Sequence, residues 1–320
     1  MAEMAQFVDI FEGSLSKPDG LLGEVLQHIL QRGGKRMRPI LTLLIAKALA
    51  PKADPTALNE KTLHAACSLE LLHTASLVHD DVVDESDERR GQKSVNASYT
   101  NRIAILVGDY ILSTSLNETA LTHDAEMTMV LSELGQTLSE GEVIQIQNIS
   151  NMDFSIDRYY SIIKRKTAAL FEACCHLGGL SVNADAEMIA KAREFGQNIG
   201  IIFQIRDDIF DYYDNAEIGK PTGNDMREGK LTLPVLYVLN NIENDRAKEL
   251  AKKVKKQEAG DEEISELIEL TKQLGGIDYA RKMMEEYYQK AIKFIDEGQF
   301  ESALNESLTA YVKYVIGRDI

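Results

Sequence analysis

The features that would place this chain in a membrane, on a secretory route or along a nucleic acid are scarce. Its most apolar run, ILTLLIAKALA from Ile40, is broken by Lys47 and is too short to span a bilayer. The N-terminal MAEMAQFVDIFEG carries acids early and has no cationic start followed by an apolar run, so no secretion signal is expected. There are only three cysteines, Cys67, Cys174 and Cys175. They show no metal-ligand spacing, and the adjacent pair is poorly placed for an ordinary disulfide, which fits a reduced cytoplasmic setting. Basic charge is also short: 35 Lys and Arg face 51 Asp and Glu, a net charge of -16. That balance disfavours a nucleic-acid scaffold, because phosphate backbones select basic faces. Any phosphate site must therefore be local.

Breakers are few as well, with 6 prolines and 21 glycines in 320 residues. Between them apolar residues recur three and four apart, the spacing of amphipathic helices, while strand alternation is scarce. The expected fold is all-α, as one large domain or two smaller ones, with helices at about 21–32, 38–50, 59–84, 100–123, 126–149, 155–180, 184–214, 228–242, 261–274, 277–298 and 301–317. The first 17 residues offer one more. LHAACSLELLHTASLVHDD and REFGQNIGIIFQIRDDIFDYY are apolar nearly all round, as helices central to a bundle must be. The lysine-rich AKKVKKQEAGDEEISE from Ala251 is expected to be a solvated connection between C-terminal helices.

Both of the most apolar helices end in aspartates: HDDVVDESDERRG places Asp80, Asp81 and Asp84 together, and RDDIFD repeats the spacing with Asp207, Asp208 and Asp211. On a helix Asp80 and Asp84 share a face, as do Asp207 and Asp211, and like charges one turn apart repel. Hard oxygen ligands with no cage of histidine or cysteine suit magnesium, which keeps waters and bridges carboxylates to substrate phosphate. GGKRMRP sets Lys35, Arg36 and Arg38 after two glycines, a composition that lets backbone and cations approach an anion. His73 lies two helical turns before Asp80 on nearly the same face. His28, His64, His123 and His176 read as structural.

Together these residues resemble the trans-isoprenyl diphosphate synthases, the polyprenyl synthetase family of chain-elongating prenyltransferases. The likeness is carried by GGKRMRP, DDVVD with RRG after it, KT at Lys166 and Thr167, FQIRDDIFD, and GKPTGNDMREGK from Gly219. It implies a single domain over 1–320, an all-α helical bundle of the isoprenoid synthase type around a central cavity. It also implies magnesium on the aspartate motifs, principally Asp80, Asp84 and Asp207, with Asp81, Asp208 and Asp211 supporting or sharing the coordination. Arg89, Lys166, Thr167, Gln204 and Lys220, with Lys230 nearby, would hold an allylic diphosphate. Lys35, Arg38, His73 and Arg90 would hold isopentenyl diphosphate. The implied reaction is ionisation of the allylic diphosphate, condensation and proton loss, with charge on the departing diphosphate stabilised by metal and cations. No Ser-His-Asp order or cysteine nucleophile context calls for another mechanism.

By the same likeness the growing hydrocarbon would pass Ala75 and Ser76, one turn before Asp80, and their small side chains favour a medium-to-long polyprenyl product. Leu116, Thr119, His123 or Leu131 would supply the floor. A homodimer and at most transient membrane contact are further implications, and no basic amphipathic anchor is seen. The alternatives are a farnesyl or geranylgeranyl diphosphate synthase, a terpene cyclase, a regulatory subunit, and a catalytic subunit that needs a partner. The second aspartate motif and the isopentenyl-binding cluster weigh against the cyclase, and the intact acid and cation sets against the regulatory subunit.

Overall fold

A computed structural model describes residues 2–16, 18–31, 33–51, 58–89, 91–213 and 222–317. Two expected site residues, Arg90 and Lys220, lie outside them. The chain forms two compact units. One comprises Met1–Gly135, Leu170–Glu194 and Phe300–Ser307; the other comprises Gln136–Ala169, Phe195–Gln299 and Leu308–Ile320.

In chain order the helices are α1 (Ala2–Leu15), α2 (Gly20–Gln31), α3 (Met37–Leu49), α4 (Glu60–Val83), α5 (Val95–Ser98), α6 (Asn101–Ala120), α7 (Ala125–Ile149) and α8 (Ile156–Ile163). They continue as α9 (Ala169–Ser181), α10 (Ala186–Phe210), α11 (Asn224–Arg227), α12 (Leu233–Asn241), α13 (Asp245–Lys255), α14 (Asp261–Gln273), α15 (Gly276–Glu297) and α16 (Ser302–Ile316). A π-helical turn, Lys164–Ala168, joins α8 to α9, and two short strands, β1 (Glu88–Arg89) and β2 (Gln92–Lys93), pair antiparallel.

In the first unit α4 is the central helix. Asn59 caps its start by accepting from the Thr62 amide, and buried residues occur all round it from Thr62 to Asp81. It packs against α1, α3 and α6. The aromatic rings of Phe7 and Phe11 from α1, with Leu71 and Val78 from α4 and Ile111 from α6, fill its core. Nearly every turn of α4 thus removes apolar surface from water, which holds the helix and its terminal aspartates in one register.

In the second unit the end of α10 packs into a core built from α12, α13 and α14, with Ile205, Ile209, Val235, Leu250 and Leu267 buried together. The stretch from Ala251 departs from expectation, because its first residues complete α13. Ala247, Leu250, Ala251 and Val254, three and four apart, form a buried stripe, and the lysines between them occupy the outer turns of one amphipathic helix. Lys255 is itself only 3% exposed. Other expected helices differ as well. The expected 155–180 helix contains the π turn, the 184–214 helix ends at Phe210, and the helix expected from 228 starts at Leu233.

Candidate active site

The first unit presents the earlier motif at the end of α4. Asp80 is half-buried and Asp84, the helix cap, is exposed, whereas Asp81 is only 1% exposed. Asp81 Oδ1 accepts from Arg89 Nε at 2.5 Å. That contact depends on the chain doubling back. Ser86 N donates to the Asp81 carbonyl, Asn96 Nδ2 donates to the carbonyls of Asp81 and Ser86, and Gly91 turns the β1–β2 hairpin with φ 73°. A left-handed φ is cheap for glycine and costly for a residue with a Cβ, which explains the glycine that follows the two arginines.

A second loop also reaches α4. Gly33 and Arg36 both have left-handed backbone, φ 56° and 49°. Arg36 is not a glycine, so this conformation carries strain and persists only where the surroundings fix it. They do: Nη1 lies 3.0 Å from Glu70 Oε1, and the guanidinium sits 4.2 Å from the centre of the Phe11 ring. Arg36, Glu70, Phe11, His73, Thr74 and Arg89 line one cavity of about 50 Å³. The structure thus brings His73 together with Arg36 and Arg89. Lys35 is exposed, and Arg38 stacks 5.3 Å over Phe171, so neither lines this cavity. Ala75 is buried and Ser76 half-buried on the same helix. Of the residues offered for a tunnel floor, Thr119 and Leu131 are buried, while Leu116 and His123 face outward and line no interior of this unit.

The second unit repeats the pattern at the end of α10. Asp207 is exposed and Asp208 is only 2% exposed. Asp208 Oδ2 accepts from Tyr159 Oη at 2.6 Å and Oδ1 from Gln204 Nε2 at 2.8 Å, and Thr167 Oγ1 donates to Gln204 Oε1 at 2.7 Å. Burial, and then the charge of Asp225, pushes the Asp208 carboxyl well above the usual carboxylate range. Asp211 caps α11, its two oxygens accepting from the amides of Asn224 and Asp225 at 2.9 and 3.1 Å. Burial first, and then the Asp211 charge, pushes Asp225 up to about 7.

Gln145, Lys166, Thr167, Gln204, Asp208 and Lys230 line a cavity of about 150 Å³ in this unit, with Lys255 and Asp225 also at its wall. Lys166 belongs to the π turn, a local distortion that recurs at functional sites. The turn can approach α7 because residue 141 is glycine, where a Cβ would stand 2.9 Å from Arg165 Cβ and 3.0 Å from the Lys166 amide nitrogen. Lys166 Nζ then meets Glu142 Oε2 at 2.6 Å, and Lys230 Nζ meets Glu228 Oε2 at 2.6 Å. Sequence alone does not single out Glu142 and Gln145; it does single out Arg36, within GGKRMRP, though without a place in either diphosphate site.

The donor set suits a hard cation. Asp80 and Asp84 are carboxylates one turn apart at the wet end of a helix, and Asp207 is equally open to water. Among the described residues no three His, Cys, Asp or Glu side chains gather into a metal-holding group. A divalent ion here would complete its shell with water and phosphate oxygen, as magnesium does.

A family model described as polyprenyl synthetase matches residues 19–271. The heptaprenyl diphosphate synthase component 2 of Geobacillus stearothermophilus is 36% identical over 92% of this chain and 89% of that protein. Among solved structures, the geranylgeranyl pyrophosphate synthase from Bacteroides thetaiotaomicron is 45% identical, with a TM-score of 0.85 over 99% of this chain and 96% of that one. A polyprenyl synthase from Caulobacter crescentus CB15, complexed with calcium and isoprenyl diphosphate, is 28% identical. Its TM-score is 0.90 over 100% of this chain and 95% of that one. No described helix is long and apolar enough to cross a membrane.

Proposed function

This chain belongs to the polyprenyl synthetase family and is a prenyltransferase of the trans-polyprenyl diphosphate synthase kind, and from that premise we propose which residues carry its reaction and how long its product grows. It joins isopentenyl diphosphate to an allylic diphosphate and repeats the addition to a medium-to-long all-trans chain, with residues 1–320 acting as a single catalytic domain. The observation that carries the assignment of roles is shared by the two aspartate motifs. In each, the first carboxylate reaches solvent while the second is buried against a group suited to hold phosphate: Arg89 for Asp81, Gln204 for Asp208.

On this reading Asp80, Asp84 and Asp207 take magnesium, and Asp211 caps the start of α11. Asp81 and Asp208 act through the groups they hold. Bound magnesium would offset negative charge on the departing diphosphate. Lys166, Thr167, Gln204, Lys220 and Lys230 bind the allylic diphosphate with Arg89. His73, with Lys35, Arg38 and Arg90, binds isopentenyl diphosphate. The side chains of Ala75 and Ser76 leave room for a long tail.

The test is incubation of the purified chain with magnesium, farnesyl diphosphate and labelled isopentenyl diphosphate, followed by separation of the dephosphorylated products by length. A ladder running well beyond geranylgeraniol supports the reading, and a chelator should stop it until magnesium is restored. One addition only would favour a shorter product, a reading supported by the 45% identity to the Bacteroides geranylgeranyl pyrophosphate synthase. No product from the chain alone would point to a partner, as the name component 2 indicates for the Geobacillus protein.

The proposal includes a homodimer. Ile105, Leu106 and Leu116 on α6 and Met129 on α7 are between 44% and 63% exposed, apolar side chains that a second copy would cover. Sedimentation of the purified chain distinguishes one copy from two. Three buried cysteines that form no disulfide support a cytoplasmic setting.

A further inference from the structure

On α7, Gln145 lines the second unit's cavity and Glu142 holds Lys166, which lines it too. Glu142 and Gln145 are three residues apart, on one face of the helix, at the level of the π turn. Glu142 Oε2 is 2.6 Å from Lys166 Nζ. With its amide turned so that the oxygen faces the lysines, Gln145 accepts from both Lys166 Nζ and Lys230 Nζ, each at 3.2 Å. Two ammonium groups that share one acceptor lie no farther apart than twice that distance. Left alone they would repel, and their flexible stems would separate them.

We propose that Gln145 and Glu142 are positioning residues that hold Lys166 and Lys230 as one paired receptor for a diphosphate. The inference rests on the reading of those two lysines as diphosphate-binding cations. The choice of side chain at 145 follows from the chemistry. A carboxylate would bind both lysines by charge and compete with the incoming anion, while an apolar residue would leave them without their common acceptor. A neutral amide gathers the two cations and keeps their charge available. Glu142 fixes the Lys166 stem from the side of α7, and Gly141, which has no Cβ, allows the approach on which both contacts depend. Glu228 gives Lys230 its own carboxylate, so each lysine is held from two sides.

The experiment compares wild type with Gln145→Glu, Gln145→Ala and Lys166→Ala, reading the KM for farnesyl diphosphate, the KM for isopentenyl diphosphate, and the binding of inorganic diphosphate by calorimetry. Gln145→Glu is nearly isosteric and tests charge without loss of volume. Either change at 145 is expected to raise the farnesyl diphosphate KM about tenfold, the scale of one charge-assisted contact, and to weaken inorganic diphosphate in step. The isopentenyl diphosphate KM should stay within about twofold, which a general loss of folding would not allow. If Lys166→Ala raises the farnesyl diphosphate KM and both changes at 145 leave it and diphosphate binding as in wild type, the positioning role is overturned. If Lys166→Ala itself leaves both unchanged, the reading of the lysines fails first, and the inference falls with it.

Discussion

Tyr159 donates its hydroxyl to Asp208 Oδ2 at 2.6 Å, with both side chains buried in the second unit. Burial pushes the Tyr159 hydroxyl well above its usual value, so it remains a donor. The other Asp208 oxygen holds Gln204, and Gln204 in turn accepts from Thr167. Tyr159→Phe removes only the donor and leaves a buried carboxyl oxygen unmet, at a cost of about 1–3 kcal/mol. The variant should unfold at lower urea concentration, and its KM for the allylic diphosphate should rise while that for isopentenyl diphosphate holds. A variant with unchanged stability would show that this hydrogen bond does not order Asp208.

The helices that carry this network were legible before the structure because α4 and α10 are apolar on nearly every side, a pattern that only a central helix tolerates. The order of the motifs then carried the family. What escaped was local. A π turn at Lys164–Ala168 adds one residue to a turn and leaves the apolar period almost unchanged, so 155–180 reads as one plain helix. Strands of two residues are too short to alternate, so the hairpin that returns Arg89 to Asp81 gave no signal beyond Gly91. Glu142 and Gln145 look like an outer helix face because sequence does not show which polar side chains meet lysines from elsewhere. Lys255 is hidden for the same reason: among many lysines on one helix, only packing reveals the buried one.

Arg36 illustrates how a strained residue can be held in place. Its left-handed backbone is secured by Glu70 and the Phe11 ring, and the same turn presents Lys35 and Arg38. Glu70 is buried, so Arg36→Ala would leave its charge without this partner, a loss on the order of 3 kcal/mol. Glu70→Gln keeps a hydrogen-bond acceptor and should cost less. Both are expected to raise the KM for isopentenyl diphosphate more than that for the allylic substrate. Equal changes in both KM values would reduce the pair to a structural tie.

Lys255 makes stability depend on pH. Its ammonium donates to the Asn148 carbonyl at 2.6 Å, and burial, then the positive charge of Arg158, depresses its pKa to about 8, with Asp153 opposing. Between about pH 8 and the ordinary lysine value near 10.4, the unfolded chain holds a proton that the folded chain has released. The unfolded state then binds more protons, so this residue's contribution to stability rises with pH across that window and is at its minimum below it. Lys255→Met should flatten the rise, as read from urea midpoints at about pH 7, 9 and 10. Parallel pH curves for the two proteins would show that Lys255 titrates normally.

Ser76 is the position from which product length can be read. It sits one turn before Asp80, half-buried, with its hydroxyl donating to the His73 carbonyl at 2.9 Å, whereas neighbouring Ala75 is only 2% exposed. An aromatic ring at 75 would have to be forced into packed interior, at about 1–3 kcal/mol. At 76 it has open space on one side and can turn into the path of a growing tail. Ser76→Phe is therefore expected to fold, to keep the first condensation, and to truncate the product ladder. Ala75→Phe should shorten it too but with a lower unfolding midpoint. Chromatography of the dephosphorylated products separates the outcomes. An unchanged ladder from a folded Ser76→Phe protein would move the tail away from α4, and with it the argument that small residues before Asp80 set a long product.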